Sequence, residues 1–231
     1  MTEKSKELFD IDTPVMYVIG ISEVLYDFQL LIQVKQCLEN KQYKVAIVTD
    51  QELKEHYDNV YSLYEFFSDG LSVEKLIEAN HFIKQIEMSK PYDLLIIGIE
   101  KGTVSFGREI PENLGISVYG ISQIVPPDCV LLQIFWGDYK KDDFEKLGYE
   151  TERLIGEKID FFNIKNYYVD INLSSSNHRI IPVLLESSVI NSTIKELGLK
   201  NVFSLNCQEE IEKLCNAAIE TLHSYAEIER M

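Results

Sequence analysis

Two short apolar runs without alternation, one ending at Gly20 and one at Asp50, bracket a segment of helical periodicity. Together they read VMYVIGISEVLYDFQLLIQVKQCLENKQYKVAIVTD, from Val15 to Asp50. A strand that alternates apolar and polar residues keeps one face wet, whereas a strand apolar at every position is buried on both faces. The segment therefore predicts a buried strand, a loop, an amphipathic helix and a second buried strand. That is the opening unit of a parallel sheet covered by helices on both sides. The helix is predicted from about Asp27 to Asn40, with Phe28, Leu31, Ile32 and Leu38 on its inner side and Asp27 as N-cap.

The rest of the chain continues the alternation. Residues 50–70 carry Tyr57, Tyr61, Tyr64, Phe66 and Phe67, which predict a flap packed onto the sheet, with a stacking surface for a ligand as the functional alternative. A long helix follows from Ser72 to about Ser89, with Leu76, Ile77, Asn80, Ile83 and Ile86 at helical spacing. Tyr92 to Ile99 is a strand, and a short helix from about Asn113 to Ile124 leads to the Pro126-Pro127 turn and a strand over Cys129 to Phe135. A helix from about Asp142 to Lys158, a strand or hairpin arm over Phe161 to Asn172, and a turn at Ser174 to Asn177 come next. A strand over Ile180 to Leu185, a helix over Ser187 to Leu197, a short strand at Val202 to Leu205 and a last helix from Cys207 complete the pattern. The fold class is α/β, a mostly parallel sheet flanked by helices in one main domain over residues 14–231, preceded by a mobile leader over 1–13. The pattern leaves open whether residues beyond about 160 extend that sheet or form a smaller unit.

The loop after the first strand is where such folds hold phosphates, on the N-terminus of the following helix. A phosphate-binding P-loop reads G-x-x-x-x-G-K-[ST]: its glycines let backbone N–H groups turn inward, its lysine neutralises phosphate charge and its hydroxyl binds magnesium. Here Gly20 stands for the first glycine, but Leu25 replaces the second, Tyr26 the lysine and Asp27 the hydroxyl, and Glu23 adds negative charge. The frame is degenerate, and nucleotide hydrolysis is not expected from it.

Asp50 closing the second strand and Gly98-Ile-Glu-Lys-Gly102 closing a later one resemble the arrangement in NTPases related to the nitrogenase iron protein and dethiobiotin synthetase. The succession of degenerate loop, aromatic segment, long helix, PYDLLIIGIEKG and VYGISQIVPPDCVLL also resembles a bacterial accessory family, the peptide maturation system proteins. The likeness runs over roughly Val15 to Asp138, with a vaguer similarity through Phe161 to Glu186. Members of that family are encoded beside radical SAM peptide maturases and small precursor peptides. The resemblance implies a role in maturing a ribosomally made peptide, with a precursor peptide and a radical SAM maturase as partners, and it names no reaction.

Other chemistries find little support. Thr103-Val-Ser105-Phe-Gly107 loosely echoes the G-x-S-x-G nucleophile elbow, but Ser105 lies about six residues past the strand instead of on the turn leaving it. His178 and His223 are candidate bases and Asp128 and Asp138 candidate orienters, with nothing to hold them together. No C-x-x-C, H-x-x-x-H or EF-hand spacing is present, so no metal site is expected. A carboxylate pair cannot be singled out among 38 acidic residues. Net charge of −16 repels phosphate backbones and anionic membranes, which disfavours nucleic acid and lipid surfaces as partners. The start of the chain lacks the apolar core of a signal peptide, and four scattered cysteines (Cys37, Cys129, Cys207 and Cys215) suit buried free thiols in a reducing compartment, so a cytoplasmic location is expected.

These readings converge on a non-catalytic accessory or binding protein that uses the carboxyl edge of its sheet, with no catalytic set and no cofactor expected. The candidate surface comprises Gly20, Ser22, Glu23, Tyr26 and Asp27 in the first loop, Asp50, Glu100, Lys101 and Ser105 beside it, and Trp136 and Asp138 beyond the later strand. The alternative is an enzyme or a nucleotide or small-molecule binder using the same edge and the 100–107 loop. A structural subunit in a homo- or hetero-oligomer is a third reading.

Overall fold

A computed structural model of the chain describes residues 7–228, with side chains described up to Ser224. Its strands are β1 (Val15–Gly20), β2 (Val45–Thr49), β3 (Val60–Ser62), β4 (Leu94–Gly98), β5 (Cys129–Ile134), β6 (Phe161–Ile164), β7 (Tyr167–Val169), β8 (Pro182–Leu184) and β9 (Val202–Phe203). Its helices are α1 (Phe28–Asn40), α2 (Tyr64–Phe67), α3 (Val73–Ser89), α4 (Ile116–Ile124), α5 (Lys141–Ile155), α6 (Ile171–Asn177), α7 (Ser187–Leu197) and α8 (Gln208–Ile228). Among the described residues, seven strands form one sheet in the order β3-β2-β4-β1-β5-β6-β9, every neighbouring pair parallel.

The unbroken apolar strands are explained by two cores. Side chains alternate across a strand, so Tyr17, Ile19, Val48, Leu95, Ile97 and Leu132 enter one layer with α3, α4, α5 and α7. Met16, Val18, Ile47, Ile96 and Leu131 enter the other with α1 and α8. Burying one such side chain is worth roughly 1.5–3 kcal/mol, and β1 buries all six of its residues. Helix α1 starts where the sequence predicts, with Asp27 as its cap. The aromatic segment becomes β3 and α2, packed onto the first core through Tyr61, Phe66 and Phe67. Tyr61 and Phe66 meet Phe82, and the Tyr61 hydroxyl lies 2.9 Å from that of Tyr92.

Three expectations change. Residues 7–13, read as the end of a mobile leader, lie along α3. Asn80, fully buried in the apolar stripe of α3, accepts a hydrogen bond from the Phe9 amide at 2.7 Å and donates to the Phe9 and Ile124 carbonyls. Thr13 donates its amide to Glu87 at 2.6 Å. The first six residues of the expected leader lie outside the described residues. Ser174 to Asn177, read as a turn, closes helix α6, because Asp170 caps its start by accepting from the Leu173 amide. Cys37, Cys129 and Cys215 are buried, but Cys207 is exposed. Beyond residue 160, β6, β9 and α8 belong to the main sheet and its layers, whereas β7 and β8 pair antiparallel in a small ribbon of their own. No helix among the described residues is long and apolar enough to cross a membrane.

Candidate functional site

Neighbouring strands β1 and β4 send their chains to opposite faces, β1 into α1 and β4 towards α4. Such a divergence opens a crevice at the carboxyl edge of an α/β sheet, where ligands bind. In this chain the crevice is filled from within. Gly20 ends β1, and a Cβ there would lie 3.0 Å from the Ser22 carbonyl oxygen and 3.2 Å from the Leu25 Cβ. The glycine is needed because the loop folds back on itself. A single 3₁₀ turn, Glu23–Leu25, follows, with the Ser22 hydroxyl accepting from the Val24 amide and Leu25 fully buried.

The positive end of α1 is already occupied by a carboxylate. Asp27 Oδ1 accepts from the Leu30 amide at 3.2 Å, and Oδ2 receives Lys165 Nζ at 2.8 Å. A phosphate docking at this helix start would have to displace that carboxylate and its ion-pair partner.

The loop after β4 seals the other side. Thr103 and Val104 donate their amides to the Gly20 and Ile21 carbonyls at 3.0 and 3.3 Å, which stitches the two loops together. The approach is close enough that a Cβ at Gly102 would lie 2.7 Å from Ser22 Cα and 2.8 Å from the Ile21 oxygen. Glu112, held at φ 45°, brings its carboxylate onto the first loop and accepts from the Ser22 hydroxyl at 2.6 Å. Burial raises the Glu112 carboxyl above its usual range, partly offset by that hydrogen bond. Lys101 bridges Glu23 at 3.0 Å and Glu100 at 3.7 Å.

Tyr26, in the lysine position of a P-loop, turns its hydroxyl to Thr49 at 2.6 Å, and burial pushes its ionisation far up. Asp50 accepts from the Glu100 amide at 2.7 Å, and burial pushes its carboxyl up to about 6. Five carboxylates (Glu23, Asp27, Asp50, Glu100, Glu112) thus gather around two ammonium groups, Lys101 and Lys165. The edge disfavours anions and favours cations.

No protein-family model matches the chain, and no curated protein sequence matches it. Solved structures do. A plasmid partition protein from Borrelia burgdorferi is similar with a TM-score of 0.53 at 10% identity, covering 91% of this chain and 100% of that one. A duf1611 family protein from Anabaena variabilis is similar with a TM-score of 0.57 at 11% identity, over 94% of this chain but 62% of that one. The fold is P-loop NTPase-like.

On this P-loop NTPase-like sheet the structure brings together Gly20, Ser22, Glu23, Tyr26, Asp27, Asp50, Glu100 and Lys101. It leaves the others apart. Ser105 is exposed and donates to the Gly107 carbonyl at 2.9 Å, which makes it a brace of its own loop. Trp136 packs on the core and donates Nε1–H to Thr193 on α7 at 2.9 Å, and Asp138 is exposed beside it. His223 sits on α8 against a cleft at the amino end of the sheet, far from Ser105 in the fold. Among the described residues no group of three or more His, Cys, Asp or Glu is placed to hold a metal ion.

Sequence reasoning missed Glu112, Lys165 and Thr49. Lys165 carried a usable signal, a lysine directly after the buried strand Phe161–Ile164. Glu112 carried none, since it sits in an irregular loop.

Proposed function

We propose that this chain is a non-catalytic accessory or binding protein that has turned a phosphate loop into an internal latch. The observation that carries this reading is the filling of the crevice by the chain's own groups: Asp27 on the helix start, Glu112 on Ser22, and Gly102 against Ser22 and Ile21. A site built to take phosphates keeps backbone N–H groups and a cation free for the ligand. Here the helix start is capped by a carboxylate, and the lysine position holds a tyrosine.

In this reading the acidic carboxyl edge faces a basic partner in the cytoplasm, a precursor peptide of ribosomal origin together with its radical SAM maturase. Support comes from the charge of the edge and from the sequence resemblance between Val15 and Asp138. The test is co-purification of the tagged protein with co-expressed precursor and maturase. Co-elution that weakens when Glu23 and Glu100 are both changed to lysine is expected, and no co-elution at any salt concentration would sink the proposal.

One observation favours a second reading, a small-molecule site at the same edge. A cleft of about 450 Å³ opens beside the latch, walled by Val24, Ile110, Ile181 and Pro182 and edged by Glu112 and Arg179. Thermal stabilisation by a nucleotide or small metabolite, with none by peptide or maturase, would select this alternative.

A further inference from the structure

A second cleft lies at the opposite, amino end of the sheet, where neither reading above needs one. Its volume is about 640 Å³, within the range of sites for small organic ligands. One wall is apolar, made by Leu38 at the end of α1, Leu94 at the start of β4, and Ala218, Ile219 and Leu222 on α8. Charged groups gather on the α3 side. The Glu87 side chain, 10% exposed, accepts from the Thr13 amide and pairs with Lys84, which also reaches Asp12 at 2.8 Å. Asp93, at the β4 end of the cleft, accepts from the Lys44 amide at 2.7 Å.

Among the described residues that line the cleft, three carboxylates, Asp12, Glu87 and Asp93, therefore face one ammonium, Lys84. Burying apolar surface favours an apolar occupant, and the uncompensated negative charge selects its polar end. We propose that this cleft binds a small amphipathic amine, its hydrocarbon part against α1 and α8 and its ammonium beside Asp93, Glu87 and Asp12. The site is independent of the latch at the carboxyl edge, and it does not require that the proposed peptide role hold.

Calorimetric titration of the full chain with decylamine, decanol and decanoate, all below their micellar concentrations, tests the assignment. Saturable one-to-one binding of decylamine is expected, at least tenfold tighter than that of decanoate. Ile219→Trp, which fills the apolar wall from a partly exposed position, should abolish it. Asp93→Asn keeps an acceptor for the Lys44 amide while removing one charge, so it should weaken decylamine several-fold and leave decanol unchanged. No saturable heat, equal affinity for all three probes, or full decylamine affinity in folded Asp93→Asn would each overturn the proposal.

Discussion

Replacing Asp27 probes the latch at the point where a phosphate would otherwise sit. Asp27→Ala removes the N-cap acceptor of α1, a loss of about 1 kcal/mol. It also strands Lys165, whose side chain is 12% exposed against 35% for Asp27. Exposed pairs contribute up to about 1 kcal/mol, and breaking a buried one costs about 3–5 kcal/mol. This half-buried pair falls between, at about 1–2 kcal/mol, so Asp27→Ala should cost about 2–3 kcal/mol in all. Asp27→Asn keeps an acceptor for Leu30 and should lose only the ionic part. Combining Asp27→Asn with Lys165→Met removes both charges and should recover most of that loss, giving a coupling energy of about 1–2 kcal/mol in a double-mutant cycle. Urea denaturation followed through Trp136, the only tryptophan in the chain, reads the parent, the single variants Asp27→Ala, Asp27→Asn and Lys165→Met, and the double variant. The reasoning fails if Asp27→Ala is neutral or stabilising, or if the cycle shows coupling no larger than the usual additivity scatter of about 0.3–0.5 kcal/mol.

Asp50 gives a pH signature. Its folded carboxyl is pushed up to about 6 by burial, so between about pH 4 and 6 the folded state holds a proton that the unfolded state has released. That contribution favours folding at low pH and is lost as pH rises through this window. Asp50→Asn, which can still accept from the Glu100 amide, should be more stable than the parent at pH 7.5, by on the order of 3 kcal/mol, and lose that advantage below pH 4; an advantage of equal size at both pH values would contradict the burial argument. Gly102→Ala must push a Cβ against Ser22 Cα and the Ile21 oxygen, which are backbone atoms unable to swing aside. A loss of about 1–3 kcal/mol is expected in the same denaturation assay, and an unchanged midpoint would mean the two loops are not held in contact.

The sheet was legible in the sequence because burial on both faces leaves a local trace: apolar runs at β1, β2, β4 and β5 with no alternation. The cap of α1 was legible for the same reason, Asp27 being adjacent to the helix it starts. The degeneracy of the loop could be read from Leu25, Tyr26 and Asp27, but not what fills it. Glu112 meets Ser22 across 90 positions and Lys165 meets Asp27 across 138, and no local pattern encodes such pairings. Asn80 was read only as a position in the stripe of α3, and the spacing gave no sign that its three hydrogen bonds tie Phe9 to α3 and α3 to α4. Ser174 to Asn177 misled because serine and asparagine favour turns, whereas the Asp170 cap and the left-handed His178 at the other end close a short helix around them.

Calorimetric titration with ATP and GTP, each with magnesium, tests the central claim most directly. A latch made of Asp27, Glu112 and Gly102 leaves no room or charge for phosphates, so the folded protein should give no binding heat with either nucleotide. Saturable micromolar binding would show that the crevice opens and holds phosphate, and the latch would no longer describe this site.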